Sequence, residues 1–313
     1  MTGAGGFVGA WTVARLVERG IDAIAALRDP GRPSPLLARL DKDTRAPRIA
    51  LPEDRAALTA LVEARSIDTV LHLAGQSQVG AALDDPPGAL RANAGLTATL
   101  LEGARRAALP PSIVVASTDG VYGAGDGTPF VEDDPIACAT PYEASKAAAE
   151  LMARAYAGAF GLPVTIARFG NLYGPGDANG ARIVPGSVRR ALRGEGPVLR
   201  DGGTSERAYL FVADAVEALL VLAGLAARAE LRGEAFNVSG SEAVTTGAMM
   251  RAILDAVGRS DLELRVEPAP EGGEISRKRS SSRRLTELTG WRPRVALAEG
   301  LRRTVAWERR RDA

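Results

Sequence analysis

One repeated alternation constrains this chain more than any other feature. Three short, almost wholly apolar runs, DTVLHLAG (68–75), SIVVAST (112–118) and PVTIARF (163–169), are each preceded by a stretch of helical spacing, at Asp54 to Arg65, 89–107 and 141–160. Strands that are apolar at every position are covered on both faces. Their regular interleaving with helices predicts a parallel, doubly wound α/β sheet. IDAIAAL (21–27) reads as a further strand. Phe7 to Arg19 reads as a helix, with Val8, Trp11, Val13, Leu16 and Val17 apolar and Gly20 closing it. After Phe169 the pattern breaks. GNLYGPGDANGARIVPG (170–186) reads as a long loop, YLFVADAVEALLVLA (209–223) as a return to the main fold, and the end as a helix near 297–310.

Composition excludes several classes. The formal net charge of the 313 residues is +1, so no global field favours a nucleic acid or a membrane surface. The basic run RKRSSSRR (277–284) has no interleaved aromatic and reads as a solvated loop. Cys138 is the only cysteine, which rules out an internal disulfide framework. No apolar run approaches the ~18 residues of a membrane helix. These features lead to the expectation of a soluble, cytoplasmic chain. Among the basic residues only Lys42, Lys146 and Lys278 are lysine. A lysine kept against such an arginine bias is a candidate for chemistry that arginine cannot perform.

The chain opens on MTGAGGFVGAW, in which Gly3, Gly6 and Gly9 have the G-x-x-G-x-x-G spacing of a dinucleotide-binding loop. The glycines permit a tight turn, close approach of backbone to a pyrophosphate and packing of the next helix, whose free N–H groups face the anion. The expected ligand is NAD or NADP. After the second strand, Arg28 points to NADP and Asp29 to NAD. The strand that should precede the loop is missing, and the expectation is a short apolar strand before Thr2. The domains expected are a dinucleotide-binding domain over 1–169, with a return segment near 209–225, and a mainly substrate-binding domain over 170–313.

ATPYEASKAAAE (139–150) carries the chemistry. Thr140 and Glu143 form a capping box and Pro141 suits the first helical position. Tyr142 then lies in the first turn with Lys146 one turn on, on the same face. A lysine ammonium beside a phenol stabilises tyrosinate, and such a tyrosine can take a proton from an alcohol as hydride leaves for a nicotinamide. His72, inside an apolar strand, reads as a structural histidine.

Together these pieces resemble the extended short-chain dehydrogenase/reductases of the nucleotide-sugar epimerase/dehydratase kind, from Gly3 to about Trp307. The matching stretches are GAGGFVG (3–9), HLAGQSQV (72–79), STDGVYG (117–123), PYEASK (141–146), RFGNLYGPGD (168–177), RIVPG (182–186), GEAFNVSG (233–240) and GWRP (290–293). Within the family, 170–186 and 274–293 most resemble CDP-glucose 4,6-dehydratases and enzymes acting on GDP-mannose. The resemblance implies a Rossmann-type fold, and a 4-keto-hexose intermediate formed by hydride exchange between sugar C4 and nicotinamide. It implies Thr118, Asp119, Tyr142 and Lys146 as catalytic residues. Cofactor contacts would come from Gly3, Gly6, Phe7, Gly9, Arg28, Leu73, Ala74, Gly75, Tyr142 and Lys146. A nucleotide-diphosphate sugar would meet Gln76, Asn171, Arg182 and Arg207, and no metal is implied. The family also implies a homodimer joined through two helices per subunit.

The departures are as informative. Gly120 stands where dehydratases carry the base that removes the C5 proton, which argues against a standard 4,6-dehydratase. Leu51 stands where an aspartate usually meets the adenine, and Arg207-Ala208-Tyr209 replaces an Arg-Asp-Tyr/Phe motif. Two further readings therefore stand beside the epimerase or atypical dehydratase. One is an NAD(P)H-dependent reductase of NDP-4-keto-6-deoxyhexoses; the other is a non-catalytic dinucleotide- or nucleotide-sugar-binding protein.

Overall fold

The structure is a computed structural model that describes residues 1–40, 46–199, 202–267 and 277–310. In chain order the first elements are α1 (Phe7–Glu18), β1 (Ala25–Leu27), α2 (Pro35–Leu40), β2 (Arg48–Ala50), α3 (Arg55–Ala64) and β3 (Thr69–His72). Next come α4 (Val79–Asp84), α5 (Pro86–Leu90), a π-helical turn at Arg91–Gly95, α6 (Leu96–Arg106), β4 (Ser112–Thr118) and a 3₁₀ turn at Asp119–Tyr122. Then follow α7 (Pro141–Phe160), β5 (Val164–Phe169), β6 (Asn171–Tyr173), α8 (Ile183–Leu192), β7 (Val198–Leu199) and β8 (Glu206–Phe211). The last elements are α9 (Val212–Ala226), β9 (Ala235–Val238), β10 (Ala243–Thr245), α10 (Thr246–Val257), β11 (Arg265–Val266), β12 (Arg277–Lys278), α11 (Arg283–Thr289) and α12 (Leu297–Arg309).

The chain forms two compact units. The first comprises Met1–Gly123, Glu132–Phe169 and Val216–Asn237. Its sheet has two ladders, β1-β2 and β3-β4-β5-β9, with β1 parallel to β2 and β3, β4 and β5 mutually parallel. Thr2 bridges the ladders, pairing in parallel with Ala26 on one side and His72 on the other. The Met1 carbonyl accepts from Ala26 N–H at 2.8 Å, and Thr2 N–H donates to the Leu71 carbonyl at 3.0 Å. Thr2 thus stands in the place expected of a central first strand, a single bridging residue rather than a ladder. Beneath it an apolar pocket is lined by Met1, Ile24, Ile49, Leu61, Val62 and Val70, among others.

Strand alternation sets the helical layers. Val164 and Ile166 of β5 pack with Ala153 and Ala157 of α7, whereas Thr165 between them donates to the Leu222 carbonyl of α9 on the other face. Arg15 and Arg19 of α1 both reach Glu217, which ties α1 to α9. Caps fix where the helices start. Asp54 accepts from Ala57 N–H at α3, and the expected Thr140/Glu143 capping box opens α7, which closes on Gly161 in the left-handed region. The strand expected over 21–27 is paired only over Ala25–Leu27.

The second unit comprises Ala124–Val131, Gly170–Ala215 and Val238–Ala313. Its sheet is ordered β10-β8-β12, with β6 also pairing with β8, and α8, α10 and α12 pack on one another. Two sequence expectations need correction. The stretch 170–186 is not one loop: Asn171–Tyr173 pairs in parallel with Tyr209–Phe211, and Ile183 opens α8. Nor is 277–284 simply solvated, because Arg277–Lys278 adds to β8 and Lys278 and Ser280 are buried. In both places partners distant in the sequence override local turn chemistry.

Candidate active site

Each glycine of the opening loop has a different neighbour. Gly3 has φ +67°, and a Cβ there would lie 2.6 Å from Leu73 C and Ala74 N, so loop and β3 end touch backbone to backbone. At Gly9 a Cβ would lie 2.1 Å from the Gly3 carbonyl oxygen. Gly6 is exposed and caps α1 without any side-chain hydrogen bond, which leaves the first amides of α1, beginning at Phe7, facing outward. Gly3 and Gly9 hold the turn by backbone contact, and Gly6 joins it through its N–H to the Gly3 carbonyl at 2.9 Å while lying exposed at the start of α1. This bare cradle at a helix N-terminus fits the pyrophosphate of a dinucleotide. Arg28 is exposed just beyond β1, and Asp29 Oδ1 accepts from Gly31 N–H. Leu51 packs against the core cluster of the β3-β4-β5 half.

At the end of β4, the Thr118 hydroxyl accepts from Gly120 N–H at 3.1 Å and caps the 3₁₀ turn that contains buried Asp119. A Cβ at Gly120 would lie 3.0 Å from Glu143 Cγ and 3.1 Å from Thr118 Cγ2. Glu143 cannot easily yield, because its Oε2 accepts from Ala139 and Thr140 N–H, both at 3.0 Å. Tyr142 occupies the first turn of α7, half-buried. Buried Lys146, one turn on, donates from Nζ to the Ala116 carbonyl at 3.0 Å. Burial lowers the Lys146 pKa to about 8.

Asn93 escaped the sequence reading. It lies buried in the π-helical turn between α5 and α6. Its Oδ1 accepts from Gln76 N–H at 2.9 Å, while Nδ2 donates to the Gln76 carbonyl and to Ser145 Oγ, between Tyr142 and Lys146. A Cβ on Gly75 would strike Asn93 Oδ1 at 2.3 Å and approach Lys146 Nζ at 3.6 Å. The available signal was a lone amide inside an apolar helical pattern, and π turns cluster at functional sites.

Buried His72 links loop and site. The Thr97 hydroxyl donates to the Asn93 carbonyl, so toward His72 Nε2, 3.0 Å away, it accepts. The proton therefore sits on Nε2 and the bare Nδ1 accepts from Thr2 Oγ1 at 2.7 Å, itself an acceptor for Ala74 N–H. Burial chiefly, then the charges of Lys146 and the N-terminus, lowers the His72 pKa to about 3, consistent with this neutral, fully bonded ring. Both ring nitrogens are occupied, as a structural histidine requires.

The residues expected at the sugar nucleotide divide between the units. Gln76 belongs to the first, its side-chain oxygen accepting from Gln78 N–H. Asn171, Arg182 and Arg207 belong to the second. Asn171 and Arg207 lie on paired strands β6 and β8, and Arg182 caps α8 with its guanidinium 3.1 Å from buried Asp177. Among the described residues no cluster could hold a metal ion, and no helix is long and apolar enough to cross a membrane.

Known proteins share this chain's sequence pattern and fold. Residues 1–239 match the family model described as the NAD dependent epimerase/dehydratase family. A UDP-glucose 4-epimerase of Mycolicibacterium smegmatis is 33% identical over 316 residues, covering 100% of this chain and 98% of that protein. The structure of a UDP-glucose 4-epimerase from Thermotoga maritima with UDP-glucose superposes with a TM-score of 0.87 at 25% identity, covering 100% and 98% of the two chains. That of a Streptomyces venezuelae dTDP-glucose 4,6-dehydratase with NAD bound gives 0.86 at 30% identity, covering 99% and 96%.

Proposed function

The chain belongs to the NAD dependent epimerase/dehydratase family, and from that premise we propose that it epimerises a nucleoside-diphosphate hexose at C4 through a 4-keto intermediate. The observation that carries this reading is the crowded glycine at position 120 beside an intact Thr118, Tyr142 and Lys146 set. Relatives include both 4-epimerases and 4,6-dehydratases. Dehydration needs a base for the C5 proton, and Gly120 has no side chain to take it. Glu143, pressed against that position, is engaged in the α7 cap.

NAD, when bound, supplies the acceptor and later the donor of the C4 hydride. Gly3, Gly6 and Gly9 with the start of α1 would hold its pyrophosphate, and Leu73, Ala74 and Gly75 would line the adjoining β3 end. Tyr142 takes the C4 hydroxyl proton and returns it after the ketone has turned its other face. Lys146, still mostly protonated at pH 7, favours tyrosinate electrostatically. Thr118 orients the same hydroxyl, with Asp119 next to it. Asn171, Arg182 and Arg207 are assigned to the nucleotide and diphosphate, where guanidinium forks suit paired oxygens. Exposed Leu151 and Phe160 on α7, the helix that carries Tyr142 and Lys146, support the expected homodimer through two helices per subunit, one of them α7. Light scattering reads the dimer.

Mass spectrometry of products from UDP-, dTDP-, CDP- and GDP-hexoses with NAD tests the reaction. Unchanged mass with altered retention is the expected result. Loss of water would replace the epimerase with a dehydratase, and no product from any sugar would sink the reading.

A further inference from the structure

A second buried polar system lies behind the site, and none of its members belongs to the reaction just described. Glu150 is on α7 one turn beyond Lys146, and Arg168 is on β5 in register with Ser117, the residue before Thr118. Both side chains are almost fully buried, at 0% and 1% exposure. Arg168 Nε donates to Glu150 Oε2 at 3.0 Å and Nη2 donates to Glu150 Oε1. Ser117 Oγ donates to the same carboxylate at 3.3 Å. On its other side, Arg168 Nη1 donates to Tyr122 Oη at 2.7 Å and to the Glu132 carbonyl at 3.0 Å. Tyr122 Oη in turn donates to Asn237 Oδ1 at 2.7 Å, and the guanidinium stacks 4.8 Å from the Tyr122 ring centre.

One guanidinium therefore fastens three elements. Through Glu150 it holds the face of α7 that presents Lys146. Through the same Glu150 carboxylate, which also accepts from Ser117, it holds the end of β4, and through Tyr122 the end of the 3₁₀ turn that carries Asp119 and Gly120. Stability alone does not explain such an arrangement, because well-packed apolar residues commonly replace a buried ion pair without loss. What apolar packing lacks is direction. A fork of charged hydrogen bonds fixes both the rotation of α7 and its distance from β4. We propose that Arg168, with Glu150 and Tyr122, is a positioning residue for the C4 reaction: it sets α7 against the end of β4 so that Tyr142 and Thr118 converge on one substrate hydroxyl. This rests on the reaction proposed above.

The test compares the wild type with the double variant Glu150→Leu/Arg168→Met, which removes both charges together, and with Arg168→Lys, which keeps charge but loses the fork. Turnover, KM for the sugar nucleotide, NAD affinity and thermal melting are measured for each. A misplacement near 1 Å costs about 100-fold in rate, so kcat of the double variant should fall about 10- to 100-fold. KM, NAD affinity and melting temperature should stay near wild type, with Arg168→Lys in between. Wild-type kcat in the double variant, or a loss matched by equal losses of NAD affinity and melting temperature, overturns the proposal. If the double variant does not fold, Tyr122→Phe decides: a lowered kcat at unchanged melting supports positioning, and an unchanged kcat ends it. A wild type inactive on every sugar would instead overturn the reaction, which keeps the two failures apart.

Discussion

The two halves of the first unit's sheet are built differently. On one side, β4 and β5 pair over six consecutive residues, from Ile113 with Val164 to Thr118 with Phe169. Ile113, Val115 and Ile166 of these strands pack in one cluster with Leu101 and Leu162. On the other side, β1 and β2 pair over three residues, the cluster includes the small residues Ala4, Ala10, Ala25 and Ala46, and Thr2 bridges it to β3 by a single pair. The dense half carries Thr118, Asp119, Tyr142 and Lys146, and the sparse half carries the glycine loop. The difference teaches that the groups assigned to proton transfer are set by side-chain packing, whereas the loop is set by backbone contacts that tolerate no added atom.

Breaking each half should give a different signature. The largest effect is expected in the dense half: Tyr142→Phe should lower kcat by roughly 10²–10⁴-fold with NAD affinity retained, read by steady-state kinetics and cofactor titration. In the sparse half, Gly9→Ala forces a Cβ onto the Gly3 carbonyl oxygen 2.1 Å away. A loss of about 3 kcal/mol or more in chemical denaturation is expected, with NAD affinity falling alongside. At the joint, Thr2→Val leaves His72 Nδ1 and Ala74 N–H without their partner and should cost about 1–3 kcal/mol in the same measurement.

The smallest effect per step is a pH slope at the same joint. His72 has a folded pKa of about 3 against 6.5 unfolded, so between these values the unfolded chain binds more protons and stability falls as the pH drops. The slope from this group reaches at most about 1.4 kcal/mol per pH unit and should vanish in His72→Gln, measured by urea unfolding between pH 6.5 and 4. Lys146 acts in the opposite window. Its folded pKa of about 8 lies below 10.5, so its contribution raises stability as the pH climbs from 8 toward 10.5. If acid weakened a His72→Gln protein as steeply as the wild type, the slope would not come from His72.

The chain's local rules were legible at once. Apolar runs without alternation marked β3, β4 and β5, Thr140, Pro141 and Glu143 announced the start of α7, and glycine spacing marked the cradle, because each depends on residues within a few positions of one another. Sequence alone therefore determined the α/β class, the placement of Tyr142 and Lys146 on one helical turn, and the candidate dinucleotide loop. Only the tertiary structure decided that Thr2 bridges two ladders, that Asn93 ties Gln76 to Ser145, that 171–173 and 277–278 are strands, and that Arg168 fastens α7 to β4. Each of these depends on partners far apart in the sequence. A buried donor or strand edge must be satisfied by whatever group the fold brings beside it, and no local pattern records which group that is.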